Sequence, residues 1–227
     1  MIWFTDKTDK TESAEITKSE KYKEIKPSVE TTDDKVQSFW SDVFGNKSKT
    51  DDTGFKGEDT ISEIFHRKES DFKFDFDFKD KSITKVLDKF ADEKWDKLSE
   101  AKKMKVIDSF ADVLCDKLGI TERPKVTLFD NSDNYGLYCH GTNSVELNRS
   151  ILNNPKELVD TIAHETRHAY QYQRASIGKT RMDGLYGTNI VNYIAPVKVN
   201  GKYINFIEYQ EQLIEAEARA FAKGFKI

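Results

Sequence analysis

The chain has 227 residues, 36 Lys+Arg against 40 Asp+Glu, a net charge of −4, two cysteines and a hydrophobic share of 37%. That length suits one sizeable core, or one domain with an appendage; the acidic balance argues against a dedicated binder of nucleic acid or anionic membranes, which would carry a basic excess to attract phosphate. Cys115 and Cys139 are too few for a disulfide framework, no run approaches the length of an apolar membrane span, and the opening MIWFTDKTDK lacks the apolar segment of a secretory signal, so a cytoplasmic location, or export by a route that reads no classical signal peptide, is expected.

Charge is unevenly spread. Residues 1–81 hold 15 Lys+Arg and 20 Asp+Glu, a net of −5, whereas residues 82–227 hold 21 and 20, a net of +1. The Ser/Thr/Lys/Asp-rich run Thr5–Asp34 is too polar to offset its own ordering entropy. The division predicts a charged, partly disordered N-terminal arm over 1–81, suited to an adaptor or inhibitory role or to contact with an inhibitor or secretion partner, and a compact α+β domain over 82–227. Within the arm, Val36, Phe39, Trp40, Val43 and Phe44 have helical spacing, and Phe72, Phe74, Phe76 and Phe78 alternate with charged residues in the pattern of an edge strand.

From Ser82 the pattern turns globular. Ile83, Val86, Leu87 and Phe90 form one helical stripe, extended by Ala91 and Leu98; Met104, Ile107, Phe110, Ala111, Leu114 and Leu118 form a second, closed by Gly119 as a C-terminal cap. After Pro124, Lys125–Phe129, Tyr135–Cys139 and Val145–Leu147 read as short strands of a small sheet. Asn154 as N-cap and Pro155 at the first helical position open a helix to about Ala175. A Gly-rich polar connection over Ser176–Asn192, a hairpin turning at Asn200-Gly201, and a last helix from Tyr209 to Lys223, stopped by Gly224, complete the chain.

The helix after Pro155 carries His164-Glu165-Thr166-Arg167-His168. Two histidines at i and i+4 share a helix face one turn apart, which lets both imidazoles reach one metal ion, while the intervening Glu165 can face a water beside it. With four His in the chain, composition alone produces such a match only roughly 0.004 times. On a helical wheel, Leu158, Val159, Ile162, Ala163 and Ala169 share an apolar arc, and His164 and His168 fall nearly opposite it, as side chains lining a cleft would. A catalytic zinc needs a third protein ligand, and neither His66 nor His140 stands at a suitable spacing. The final helix offers Glu215, just beyond its apolar arc, and Glu217, inside it. Glu215 is the expected ligand, with Glu217 as its hydrogen-bonding neighbour or alternate.

The arrangement His164-Glu165-x-x-His168, with Ile214-Glu215-x-x-Ala218-x-x-Phe221-Ala222 about 50 residues later, resembles the gluzincin group of zincin metallopeptidases. Together with Val145-Glu-Leu-Asn and the flanks of the histidine pair, it is similar to compact metallopeptidase domains of bacteria and phages, including C-terminal toxin and effector domains. The resemblance covers about residues 83–227. It implies a zincin-like fold, Zn²⁺ held by His164, His168 and Glu215, and hydrolysis of a peptide or protein substrate by zinc-activated water with Glu165 as general base. It also suggests that the substrate backbone pairs with an exposed edge at Tyr135–Cys139. Where many gluzincins have Asp or Asn four residues after the ligand Glu, this chain has Arg219, so orientation of the ligands by that residue is not expected.

The competing expectation is a non-catalytic zinc-binding regulator or structural protein of the same fold; Glu165, which a purely structural site would not require, favours the enzyme. The ligand types also admit Mn, Co or Fe. Tyr186, Tyr193, Tyr203 and Tyr209 are open candidates for stabilising an oxyanion. Cys139-His140 is an ordinary cysteine beside a polar histidine, with a lesser reading as an inhibitory fourth ligand, and Cys115 reads as core.

Overall fold

The computed structural model describes the backbone of Ile2–Trp3 and residues 63–227 except 92, 94 and 131–133. The expected arm up to residue 62, including the helical spacing at Val36–Phe44, lies outside the described residues apart from Ile2–Trp3. Among the described residues no helix is long and apolar enough to cross a membrane.

The chain forms an α+β domain in the order β1 (Ile2–Trp3), α1 (Lys81–Phe90), α2 (Glu100–Leu118), β2 (Lys125–Phe129), β3 (Gly136–Cys139), β4 (Ser144–Asn148), α3 (Pro155–Ile177), α4 (Arg181–Val191), β5 (Lys198–Val199), β6 (Lys202–Tyr203), α5 (Phe206–Gln210) and α6 (Leu213–Ala222). The caps follow the sequence. Asn154 accepts from the Glu157 amide at 3.3 Å, Pro155 opens α3, and Gly119 and Gly178 close α2 and α3 with φ of 68° and 61°. Asn200 and Gly201 take φ of 50° and 78°, as a type I′ turn between β5 and β6 requires.

The main sheet has the order β1-β3-β4-β2, with β3 antiparallel to β4 and β2 parallel to β4. The edge of β3 expected to stand open is taken by β1, which pairs antiparallel through Ile2 with Leu137 and Trp3 with Gly136. Tyr138, Val145 and Leu147 point into a core shared with Leu158, Val159 and Ile162 of α3 and with Phe110 and Leu114 of α2. A smaller cluster, Ile64, Ala175, Leu185, Tyr186, Leu213 and Ile214, lies toward α4 and α6. The central helix α3 therefore touches two cores and is enclosed along most of its length.

Three expectations are corrected. The Phe-alternating stretch is extended but pairs with no strand: Phe74 and Phe76 pack on Phe221 with centroids 5.4 and 5.0 Å apart, and Phe78 on Phe225 at 5.0 Å. One greasy side found a helix to cover, so no ladder was needed. Residues 63–80 thus belong to the packed body, with Ile64 fully buried. The supposed connection at Ser176–Asn192 contains α4, opened by a reciprocal cap between Thr180 and Asp183; its glycines 184 and 187 are buried. The last helix is broken into α5 and α6 at Glu211–Gln212, where the buried Gln212 side chain donates to the carbonyls of Ile194 and Tyr209 and accepts from the Ile194 amide.

Gly136 sets how closely β3 approaches α3. A Cβ there would lie 2.4 Å from Thr161 Cγ2 and 3.3 Å from Glu165 Cγ. Gly136→Ala is expected to push the strand off the helix and destabilise the protein by about 1–3 kcal/mol, as overpacking does; denaturant unfolding measures it, and a change within error would show that the strand yields freely.

Candidate metal centre

Helices α3 and α6 supply the candidate ligands. His164 and His168 stand one turn apart on α3, and Glu215 lies in the first turn of α6, where the helix dipole favours its negative charge. Their ligand atoms converge: His164 Nε2 lies 3.0 Å from His168 Nε2 and 3.4 Å from Glu215 Oε2, and His168 Nε2 lies 3.7 Å from Glu215 Oε1. Ligands about 2.0–2.1 Å from a tetrahedral ion are about 3.3 Å apart, so this spacing suits one small cation. Among the described residues these three form a group that could hold a metal ion. Glu217 is not in it, and neither are Cys139 and His140; the latter stacks on Tyr172 with centroids 4.5 Å apart.

His164, Glu165, His168 and Glu215 are all fully buried. The expectation of a cleft-lining face is corrected accordingly: the face opposite the apolar arc is covered, because α6 and α4 pack against α3 where the sequence suggested solvent. Burial lowers the His164 pKa to about 3, leaving its ring neutral with a lone pair for a ligand. Burial also opposes charge on His168, but the Glu215 carboxylate more than offsets it and the pKa ends raised. For Glu215 the balance is similar: burial disfavours its charge, yet His168 and hydrogen bonding with both rings hold it well below the ordinary carboxylate range. Glu165 differs. Burial pushes its pKa up to about 7 against the opposing pull of His168 and the Tyr138 backbone, and among the described residues neither of its oxygens has a partner in good hydrogen-bonding geometry. A buried carboxyl without partners marks a place for a water or an ion, and the donor set beside it is of the kind that binds one.

A polar shell surrounds the ligands. The hydroxyls of Tyr193 and Tyr209 donate to Glu215 Oε1 and Oε2, each at 3.0 Å. Glu217 turns to another side of α6, where Oε1 accepts from Arg167 Nη2 at 2.6 Å and Tyr186 at 2.7 Å, and Oε2 accepts from Gln171 Nε2 at 2.7 Å. Arg167 lies over the Tyr170 ring, its Cζ 4.2 Å from the centroid. Asn189 of α4 accepts from the Ile214 amide at 2.9 Å and donates to Gln212, fixing where α6 begins. Arg219 turns away to Glu69, 3.2 Å from Nε, so it does not orient a ligand.

No protein-family model, curated protein or solved structure matches the chain. The functional reading therefore stands on the residues themselves.

The structure brings together His164, His168 and Glu215, leaves Glu165 close enough to feel the charges of His168 and Glu215, and places two of the four candidate tyrosines, Tyr193 and Tyr209, on Glu215. Tyr186 belongs to the Glu217 group and Tyr203 stacks on Phe206 in the hairpin region. Sequence reasoning missed Gln171, Asn189, Gln212 and the ion-pair role of Arg167. Gln171 had a signal, since it continues the face of His164 and His168 at i+7 and i+3.

The buried Arg167–Glu217 pair generates a stability prediction. Arg167→Leu is expected to cost about 3–5 kcal/mol because it leaves a buried carboxylate without its charge partner, whereas the double variant Arg167→Leu/Glu217→Leu should recover part of that loss. Urea unfolding of both single variants and the double decides it; simple additivity would mean that the pair is not energetically coupled.

Proposed function

We propose that the chain is a zinc-dependent metallopeptidase with a zincin-like fold, in which His164, His168 and Glu215 hold the ion and Glu165 is the general base. The observation that carries this reading is the convergence of the His164, His168 and Glu215 ligand atoms, with the fully buried Glu165 carboxyl near enough to feel the charges of His168 and Glu215. Two imidazoles and one carboxylate are a donor set of catalytic zinc sites, in which the fourth position takes a water. A bound zinc ion would polarise a scissile carbonyl and make a neighbouring water a stronger acid.

The chain's own groups do the rest. Glu165, with a pKa near neutrality before any ion is bound, is suited to take a proton from the attacking water and return it to the leaving amine. Tyr193 and Tyr209 fix both oxygens of Glu215, and either hydroxyl would have to turn its proton from Glu215 to serve a developing oxyanion. Enclosure excludes bulk water and strengthens each of these interactions. A non-catalytic metal-binding protein would share the ligands but has no use for Glu165.

Elemental analysis beside casein or peptide-library digestion tests the reading. Near one zinc per chain and chelator-sensitive cleavage are expected, and Glu165→Gln should keep the metal while losing roughly 100- to 10,000-fold in turnover. Zinc bound without any cleavage would favour the non-catalytic reading; an active Glu165→Gln protein would sink the general-base assignment.

An extended peptide pairing with β3 needs the edge now held by Ile2–Trp3. Replacing both residues by proline, which cannot donate to a ladder, should raise kcat/KM on peptides. Unchanged turnover would show that substrate enters elsewhere.

A further inference from the structure

Gln171 has no part in the chemistry above, yet it is fully buried and all of its side-chain hydrogen-bonding positions near the centre are used. Its Nε2 donates to the Ile214 carbonyl at 3.0 Å and to Glu217 Oε2 at 2.7 Å, and its Oε1 faces His168 Nδ1 at 2.8 Å. An amide group can be turned end for end, and an imidazole can carry its proton on either nitrogen, so neither orientation is self-evident. Here the partners decide both. A backbone carbonyl can only accept. Glu217 is likewise an acceptor, because Arg167 and Tyr186 both donate to its other oxygen. The end of Gln171 that faces these two groups must therefore be the amide nitrogen, with one N–H for each. The end that faces His168 is then the oxygen, which can only accept, so His168 Nδ1 must carry a proton. That leaves Nε2 as the nitrogen whose lone pair is available, and Nε2 is the atom that converges with His164 and Glu215.

We infer that Gln171 is the positioning residue that sets the His168 tautomer and ring orientation, and that the chain Arg167/Tyr186 to Glu217 to Gln171 to His168 is the ligand-orienting device of this centre. The assignment rests on the metal-binding reading above. It answers the question raised by Arg219, which stands where an orienting carboxylate or amide was expected and points to Glu69 instead. The acidic member of the device is Glu217 of α6, which acts through an amide on α3. Coupling also runs between helices: Gln171 and His168 belong to α3, whereas Ile214 and Glu217 belong to α6, so the contacts that orient the ring also hold the Glu215 helix in register with it.

The test uses the full chain, ¹⁵N-labelled, with long-range ¹H–¹⁵N spectra of the histidine rings in metal-free and zinc-loaded protein, and zinc affinity from competition with a chromophoric chelator. In the wild type, His168 Nδ1 should carry a proton in both states. Gln171→Met, close in size and without an acceptor oxygen, should lose the protected Nδ1–H signal and weaken zinc binding by about 10- to 100-fold, the usual effect of removing a ligand's hydrogen-bond partner. Glu217→Gln removes the charged one of the two acceptors that hold the Gln171 amide nitrogen, the Ile214 carbonyl remaining, and should loosen the His168 ring and weaken zinc binding even if Gln171→Met does not fold. An unprotonated Nδ1 in the wild type, zinc affinity within twofold of wild type in folded Gln171→Met, or zinc affinity within twofold of wild type in Glu217→Gln would each overturn the assignment. A wild-type chain that takes up no zinc removes the metallopeptidase reading, while the metal-free ring spectra still decide the role of Gln171.

Discussion

Besides Glu165, five acidic or basic side chains lie in the interior between α3 and α6, and their matching is the constraint on which the rest of the structure depends. Each buried charge costs several kcal/mol unless another group answers it. The chain sorts them into two groups. His164, His168 and Glu215 face one another on one side, while Arg167 and Glu217 pair on the other, with Tyr186 donating to the same carboxylate oxygen. Helix geometry makes the sorting possible. Residues two apart on a helix point about 200° away from each other, so Glu215 and Glu217 serve different groups from a single turn of α6. Gln171, which is uncharged, joins the two groups without bringing a third charge into the interior.

The break between α5 and α6 follows from the same constraint. Had the helix run unbroken, Tyr209 would stand six residues, or about 600°, before Glu215 and point to another face. The interruption at Glu211–Gln212 lets Tyr209 fold back onto Glu215 Oε2 and starts α6 just ahead of Glu215, in the first turn where a carboxylate is favoured. Gln212, fully buried, satisfies the backbone groups that the break exposes, and Asn189 caps the restart through the Ile214 amide. The helix α4 is thus more than a connection, since it delivers Asn189 to this junction and Tyr186 to Glu217.

What was legible in the sequence was what depends on local spacing. The stripes of α1 and α2, the Asn154-Pro155 start of α3, the Asn200-Gly201 turn and the pair His164/His168 are all set by residues within a few positions of one another. Glu215 could be preferred to Glu217 from the wheel because the side of a helix is also a local property. The illegible parts depend on partners far along the chain. Phe74, Phe76 and Phe78 show the period of a strand, and only the presence of Phe221 and Phe225 explains why they pack on a helix instead. Gly184 and Gly187 argued against a helix; burial of α4 against α3 overrode that propensity, although the Thr180/Asp183 cap announced the start. The break at Gln212 was invisible for the same reason, because its justification lies in Ile194 and Asn189. In the centre, metal-ligating residue types stand out by chemistry, whereas Gln171 is an ordinary helical residue until the groups around it are known.

Enclosure of the centre and the proposed hydrolysis of a polymer make opposite demands, and the distribution of contacts indicates where the two would be reconciled. The ligand helices are the most firmly held parts: α3 touches both cores, and α6 contributes Leu213, Ile214, Ala216, Ala218 and Phe221 as fully buried residues. The bordering pieces are held far less. β1 pairs through two residues, and the β5–β6 hairpin pairs only with itself while exposing Val197, Val199, Ile204 and Ile207. Local opening costs least where few buried contacts are lost. Under the proposed function, a substrate would gain entry by displacing such short elements while the distances among His164, His168 and Glu215 stay fixed, which is the division of labour that a preorganised metal site requires.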